Sequence, residues 1–170
     1  MASLITTMLV INEQIKQADQ RLAAQVKDDP GTTRLMTVPG VGPVTAATFV
    51  AIVDRVDRFP SARELRAYWG VVPSESSSGE KQRRGRITKA GNGRMRSLLV
   101  ENAWCVMRSN RAEAQPLRAW AKRIAARRGK QIAAVALARK LAGVLFAMWR
   151  DGTRFSQPRT PSSWEQTLAA

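Results

Sequence analysis

The sequence predicts an all-α protein in which a long N-terminal helix leads into a compact helical domain. Three observations support this prediction. Apolar residues follow a heptad spacing near the N-terminus, helix-capping residues precede several apolar stretches, and residues 130–150 form an alanine-rich run that is apolar on most sides. We therefore expect a coiled-coil-type helix over residues 1–29, a helical domain over residues 30–150 and a flexible tail over residues 151–170.

The first predicted helix covers residues 2–27. Its apolar side chains are spaced alternately by four and three residues, which is the a/d pattern of a coiled coil. The seam consists of Leu4, Met8, Ile11, Ile15, Ala18 and Leu22. Two interpretations stay open: the stripe packs on the protein's own domain, or it pairs two protomers. The run from Asp28 to Gly31 then ends the helix.

A glycine-bracketed turn follows at Gly40, Val41 and Gly42, and Pro43 stands where the first turn of a new helix begins. Apolar residues at helical spacing continue at Val44, Ala47, Val50 and Ala51. This pattern resembles the helix-hairpin-helix motif, which holds a nucleic-acid phosphate with backbone amides and a helix N-terminus. The alternative is a plain tight turn between two helices.

Capping residues mark the helices that follow. Ser61, with Glu64 three residues later, predicts a capping box and a short helix that buries Leu65, Tyr68 and Trp69 before Gly70 ends it. Asn92 is the predicted N-cap of a helix through Arg108. Two further helices are expected from Pro116 to Arg127 and over residues 130–150, the second of which is the predicted core helix.

Between these helices lies a stretch rich in serine, glycine and cations, residues 73–96. Four serines (Ser74, Ser76, Ser77 and Ser78) are followed by the cations Lys81, Arg83, Arg84, Arg86, Lys89, Arg94 and Arg96, and no acid stands between Glu80 and Glu101. Glycines let the backbone of such a loop approach a ligand closely. A small hydroxyl beside a flexible cationic loop suits chemistry on a polyanion. The alternative is a solvated linker, because serine and glycine are common in loops.

Composition narrows the classes of function. The net charge of the 170 residues is +15 and the pI is near 11.5, which indicates a nucleic-acid partner, with an anionic membrane surface as the alternative. The sequence contains no histidine, so it cannot form a Ser-His-Asp triad or a histidine-ligated zinc site. One cysteine, Cys105, fits a reducing cytoplasm. We expect no membrane segment, because the most apolar run is interrupted by Arg139 and Lys140.

Three segments resemble the C-terminal transposase domain of the IS110-type (IS116/IS110/IS902) insertion-sequence transposases. They are LMTVPGVGPVTAATFVAIV, then RFPSARELRAYWGVVPS, then SSG with RGRITKAGNGRMRSLLVENAW. The resemblance implies a bridge-RNA-guided recombinase that uses a serine to attack DNA. It also implies composite active sites, in which a RuvC-like acidic domain of one subunit meets the serine of another. Dimers that form a tetramer on DNA, in a bacterial cytoplasm, are the expected assembly.

The resemblance implies that Ser78 is the catalytic nucleophile. In the family this serine immediately precedes a glycine in the same loop, and in this chain Gly79 follows Ser78. Ser76 and Ser77 are the alternatives if the register differs. The segment from Ile87 to Asn92 matches the family's turn into the next helix. No RuvC-like domain precedes Met1, so we expect an expressed fragment or a truncated product that does not cut DNA alone. A divalent metal such as Mg²⁺ is expected only in that missing domain, and this chain has no predicted metal site or cofactor.

The predicted chemistry is transesterification, in which Ser78 attacks a phosphodiester and cations neutralise the phosphate oxygens. No base for the serine proton is obvious; Glu75 and Glu80 are weak local candidates. The predicted nucleic-acid-binding residues are Gly40, Val41, Gly42, Lys81, Arg83, Arg84, Arg86, Lys89, Asn92, Arg94 and Arg96. A second hypothesis is a non-catalytic DNA- or RNA-binding module that uses the same residues. A third is a basic ribosome-associated or RNA-chaperone protein.

Overall fold

A computed structural model describes residues 2–78 and 81–156 of the chain. Within these ranges the protein is predominantly helical, as predicted, with one small two-stranded sheet. The helices are α1 (Ala2–Lys27), α2 (Pro30–Leu35), α3 (Pro43–Val53), α4 (Ala62–Tyr68), α5 (Gly93–Arg108), α6 (Gln115–Arg128) and α7 (Lys130–Asp151). The strands are β1 (Pro73–Ser78) and β2 (Lys81–Ile87), and short 3-10 turns lie at Val56–Arg58 and Ala112–Ala114.

The central element is α7, which contacts α2, α4, α5 and α6. Its inward side chains, among them Leu137, Leu141 and Leu145, are completely buried, which confirms the predicted core helix. By length and composition α7 is the one helix of the described residues that could cross a membrane. Over half of that apolar stretch is buried among the other helices, which is typical of the core helix of a globular domain.

The predicted helix starts at α4 and α5 are confirmed by their caps. The Ser61 hydroxyl accepts a hydrogen bond from the Arg63 N–H at 3.1 Å and donates one to the Glu64 carboxylate. The Asn92 side chain accepts a hydrogen bond from the Met95 N–H at 2.9 Å. Such caps satisfy backbone donors that have no partner inside the helix, and they fix where each helix begins.

Helix α1 packs most closely on the domain near its C-terminal end. Val26 is buried, and α1 touches α2 and α3. Toward the N-terminus its large apolar side chains are exposed: Leu4 is 72% exposed, Met8 63% and Ile15 54%. The helix is therefore confirmed, and the apolar seam is not covered by this domain over its first turns.

Two details of the predicted core are wrong. The buried face of α3 is formed by Thr45, Ala46, Phe49 and Val53, so the predicted stripe beginning at Val44 is rotated away from the core centre. This face places the large side chain of Phe49 in the core, and the Thr45 hydroxyl on it is satisfied by hydrogen bonds with the buried side-chain amide of Asn102 on α5. Tyr68, predicted to be buried, is 40% exposed and packs its ring against Phe59.

The serine stretch forms an antiparallel β-hairpin where the sequence predicted a loop. Pro73 pairs with Ile87 at the base and Ser78 pairs with Lys81 at the far end, with an irregularity between Pro73 and Glu75. In chain order the hairpin lies between α4 and α5. Past α7 the Phe155 N–H donates to the Thr37 hydroxyl at 2.9 Å, and the remainder of the predicted tail lies outside the described residues.

Candidate nucleic-acid interface

The base of the hairpin is joined to the helical domain by close backbone contacts. The Asn92 N–H donates to the Tyr68 carbonyl at 3.2 Å, and the Lys89 N–H donates to the Gly70 carbonyl at 3.1 Å. Gly70 and Gly91 both have positive φ. A β-carbon at Gly70 would overlap the Ala90 backbone, and one at Gly91 would overlap the Tyr68 carbonyl. These glycines allow the two chain segments to approach, which fixes where the hairpin leaves the domain.

Arg96 reinforces this junction from the first turns of α5. Its Nη1 donates to the carbonyl oxygens of Trp69 at 3.1 Å and of Ala90 at 3.3 Å. The structure thus places the side chain of this predicted nucleic-acid ligand against the hairpin base, half-buried. Arg94, in the same turn, is exposed.

The strand register sets the serine positions opposite the cationic positions. Ser78 pairs with Lys81, Ser77 with Gln82, and Ser76 with Arg83. Because alternate strand residues share a face, positions 76 and 78 lie on the same face as 83 and 81. The structure describes the backbone but not the side chains at positions 75–78 and 81–84. These positions include the predicted nucleophile Ser78 and the predicted ligands Lys81, Arg83 and Arg84.

Among the serines and predicted cationic ligands of this stretch, Ser74, Arg86 and Lys89 lie nearer the base and are described with their side chains. The Ser74 hydroxyl donates to the Arg86 carbonyl at 3.0 Å, across the two strands. Gly85 leaves room for that hydroxyl, since a β-carbon at 85 would lie 2.5 Å from it. The side chains of Arg86 and Lys89 are exposed, and Lys89 has a φ of 56°. A lysine in the left-handed region is uncommon, so this turn is held by its surroundings.

The predicted helix-hairpin-helix residues lie between α2 and α3. The side chain of Val41 is buried in the core. A β-carbon at Gly40 would lie 2.8 Å from Cγ2 of Val106 and 2.9 Å from the Asn102 carbonyl oxygen, so Gly40 lets this turn pack on α5. Gly42 is the N-cap of α3 and borders open space. Of the three residues, Gly42 is therefore the one at which a ligand can approach.

The structure does not bring the two predicted binding segments together. The Gly40 turn packs at Val106, near the C-terminal end of α5, whereas the serine hairpin is anchored at Arg96. Ten residues of helix separate these contacts, which corresponds to ~15 Å along α5. A nucleic acid that touches both segments must span this distance.

A groove that the sequence analysis did not identify runs beside the hairpin base. It has a volume of about 780 Å³ and is formed by α4, the base of the hairpin, α6 and α7. Its six cations are Arg66, Arg86, Lys89, Arg128, Arg139 and Lys140, and no Asp or Glu is among the described residues that line it. Only Arg86 and Lys89 were predicted as ligands. The others were not found because they come from three separate helices, and a sequence gives no signal for that assembly.

Comparison with known proteins defines the class of this chain as the transposases of insertion sequences. The model of the Transposase IS116/IS110/IS902 family matches residues 32–118, just over half of the chain. The chain belongs to this family, which confirms the resemblance found in the sequence.

Three relatives illustrate the match. The chain is 34% identical over 145 residues to the transposase for insertion sequence element IS1111A of Coxiella burnetii, covering 85% of the chain and 40% of the relative. It is 33% identical over 140 residues to a probable family 20 transposase of Pseudomonas aeruginosa, covering 81% and 41%. It is 32% identical over 165 residues to an IS110 protein of Streptomyces coelicolor, covering 96% and 39%. The chain thus spans about two fifths of the length of these relatives.

Proposed function

We propose that this chain is the DNA-binding and nucleophile-bearing part of an insertion-sequence transposase, with Ser78 as the nucleophile. The observation that carries the proposal is the hairpin register, which pairs Ser76 to Ser78 with a strand that holds Lys81 and Arg83. Family membership supports a role in transposition and DNA as the partner. The net charge of +15 fits a polyanionic substrate.

The proposed reaction is a transesterification. Ser78 Oγ forms a bond to a DNA phosphorus while the bond from that phosphorus to one deoxyribose oxygen breaks. The serine gives up its proton, the departing oxygen takes up a proton, and the products are a phosphoserine–DNA link and a free DNA hydroxyl. Attack by a hydroxyl of a second strand reverses these steps and restores the serine. Cations on β2 neutralise the phosphate oxygens in both directions.

The proton acceptor for Ser78 is proposed to come from outside this chain. The described residues do not form a cluster of three or more acids or cysteines that could hold a metal ion. We propose that Mg²⁺ and its carboxylates belong to a RuvC-like domain of a longer protein, as the family resemblance implies. The active site is then composite, and the 170-residue chain alone binds DNA without cutting it.

The proposed partners are DNA, a guide RNA and a second copy of the chain. Helix α1 offers uncovered apolar side chains at seam positions Leu4, Met8, Ile11 and Ile15, which supports pairing with a second copy. A guide RNA is proposed as the source of sequence specificity, and the bacterial cytoplasm as the location. The open N-terminus of α3 at Gly42 is proposed to hold one backbone phosphate, as a helix-hairpin-helix motif does.

A non-catalytic binding module is the second candidate function. The observation that favours it is the cationic groove beside the hairpin base, which can bind a polyanion without a nucleophile. It predicts tight, sequence-tolerant binding that falls by about 10³-fold or more between about 50 and 200 mM salt if six or more phosphates are contacted.

A transposition assay separates the two functions. A protein of the relatives' full length that carries this chain is supplied with guide RNA and donor DNA, and excision is measured for Ser78→Ala and for the control Ser97→Ala. Ser97 is an exposed serine on α5 outside the hairpin. Loss of excision in Ser78→Ala alone supports the nucleophile, and equal excision in both variants leaves only the binding role.

A further inference from the structure

The groove beside the hairpin base carries an unbalanced positive charge. Its six cations come from α4, the hairpin, α6 and α7 and meet within one cavity. None of them belongs to an ion pair among the described residues, where the pairs are Arg55–Asp57 and Arg150–Asp151. Like charges held together without acids repel each other, so the arrangement costs stability unless an anion binds there.

Arg66 is the most constrained of these cations. Its guanidinium lies against Gly143 of α7, where a β-carbon would be 2.9 Å from the Arg66 Cζ. Its Nε is buried and has no hydrogen-bond partner in the structure. Burial lowers the pKa of the Arg66 guanidinium, and the charge of Arg139 lowers it further. A buried donor without a hydrogen-bond partner is rare, and it adds to the energetic cost of holding this cation beside Arg139.

The groove floor is apolar. It is formed by Ile87, Ile124, Ile132 and Val135, and Ile132 is 45% exposed. Trp120 stands at one wall, with the Lys140 ammonium 4.8 Å from the centre of its ring. A floor of this kind contributes little to the binding of a free phosphate, but it favours a ligand that has both an anionic backbone and a flat apolar surface.

We propose that this groove binds a single-stranded stretch of nucleic acid, with phosphates at the cationic rim and an unpaired base on the apolar floor. A duplex is a poor occupant because its base faces are stacked inside and cannot reach the isoleucines. Single strands expose those faces, and every base can use the floor without a sequence requirement. RNA and DNA share this chemistry, and the experiment distinguishes them.

The position of the groove relates this site to the proposed catalytic serine. Arg86 lines the groove near the base of the hairpin. Lys81, the partner of Ser78, lies five residues earlier, at the start of β2 and the far end of the hairpin. This corresponds to ~17 Å along the hairpin. A strand held in the groove can therefore continue toward Ser78. The inference takes from the proposed function that the partner is a nucleic acid. It does not require Ser78 to be the nucleophile.

Fluorescence anisotropy of labelled 12-nucleotide single-stranded RNA, single-stranded DNA and duplex DNA, titrated with the 170-residue chain, tests the inference. Two variants probe the groove. Arg139→Glu reverses one charge at its cationic rim, and Ile132→Ser removes an apolar side chain from its floor. The control Lys122→Glu makes the same charge change on an exposed face of α6 outside the groove. Circular dichroism melting verifies that each variant is folded.

We expect a single strand to bind more tightly than the duplex. Whichever of single-stranded RNA and single-stranded DNA has the higher affinity is then the occupant of the groove. Arg139→Glu should weaken single-strand binding by about tenfold or more, and Lys122→Glu by less than about threefold. Ile132→Ser should weaken single-strand binding about three- to fivefold and leave duplex binding unchanged. Equal losses in Arg139→Glu and Lys122→Glu, or preference for the duplex, would overturn the proposal. A Ser78→Ala variant that loses excision activity but binds single strands normally separates the two claims.

Discussion

Arg96 Nη1 donates a hydrogen bond to the Trp69 carbonyl oxygen across 3.1 Å, which joins the start of α5 to the residue that ends α4. The two residues are 27 positions apart in sequence, and the whole serine hairpin lies between them. This contact and the Gly70–Gly91 junction hold the two ends of the hairpin on one rigid support. The orientation of the hairpin is therefore determined by the helical core.

Replacing Arg96 should destabilise the domain. In Arg96→Met the carbonyls of Trp69 and Ala90 lose a charged donor, so we expect the free energy of unfolding to fall by about 1–3 kcal/mol in urea titrations. Arg94→Met is the control, because Arg94 is exposed near a helix N-terminus, where removal of a cation is neutral or slightly stabilising. Similar losses in both variants would contradict a structural role for Arg96.

Replacing Gly70 by alanine should lower the free energy of unfolding by more than its left-handed backbone conformation alone accounts for. Gly70 and Gly152 share a φ of 64°, but a β-carbon at 152 meets open space, whereas one at 70 overlaps the Ala90 backbone. Gly152→Ala should lower the free energy of unfolding by about 1 kcal/mol, the cost of the left-handed conformation. Gly70→Ala should cost at least about 2 kcal/mol more, as for other severe steric changes. Equal thermal shifts would show that the hairpin base is loosely packed.

The helices were predictable from the sequence because their signals are local. Ser61 and Asn92 cap helices at the expected positions, and the apolar run of α7 is the core. The β-hairpin was not predictable, because its strands consist mainly of serine, arginine and other polar residues, and Ile87 is their only β-branched or aromatic residue. Long-range backbone contacts at its base support this pairing instead. The cationic groove was missed for a related reason, since Arg66 and Arg139 become neighbours only after folding.

The N-cap of α2 should make stability depend on pH. The Asp29 carboxylate accepts hydrogen bonds from the Thr32 hydroxyl and from the N–H groups of Thr32 and Gly31, and these lower its pKa below the ordinary 3.8. A lowered pKa means that this contribution is complete above pH 3.8 and is lost as the pH falls through the folded-state value. Asp29→Asn keeps a capping side chain but cannot titrate.

Urea unfolding at pH 6 and at pH 3 measures this effect. We expect the wild-type chain to lose more of its free energy of unfolding between the two pH values than Asp29→Asn loses. Identical losses would contradict the assigned role of the carboxylate.

The exposed seam of α1 should pair two copies. We expect sedimentation equilibrium to give a dimer for the wild-type chain and a monomer for Met8→Glu combined with Ile11→Glu, because two buried carboxylates in a seam are strongly unfavourable. Val10→Glu is the control, since Val10 is exposed and lies off the seam. A monomeric wild-type chain, or dissociation by Val10→Glu alone, would contradict pairing through these positions.

The most direct measurement for the proposed function is the site of covalent attachment to DNA. A protein of the relatives' full length that contains this chain is incubated with guide RNA and DNA, digested with protease and nuclease, and analysed by mass spectrometry. We predict a nucleotide-linked phosphate on Ser78, absent from Ser78→Ala. An adduct on another residue, or an unchanged adduct in Ser78→Ala, would contradict the assignment.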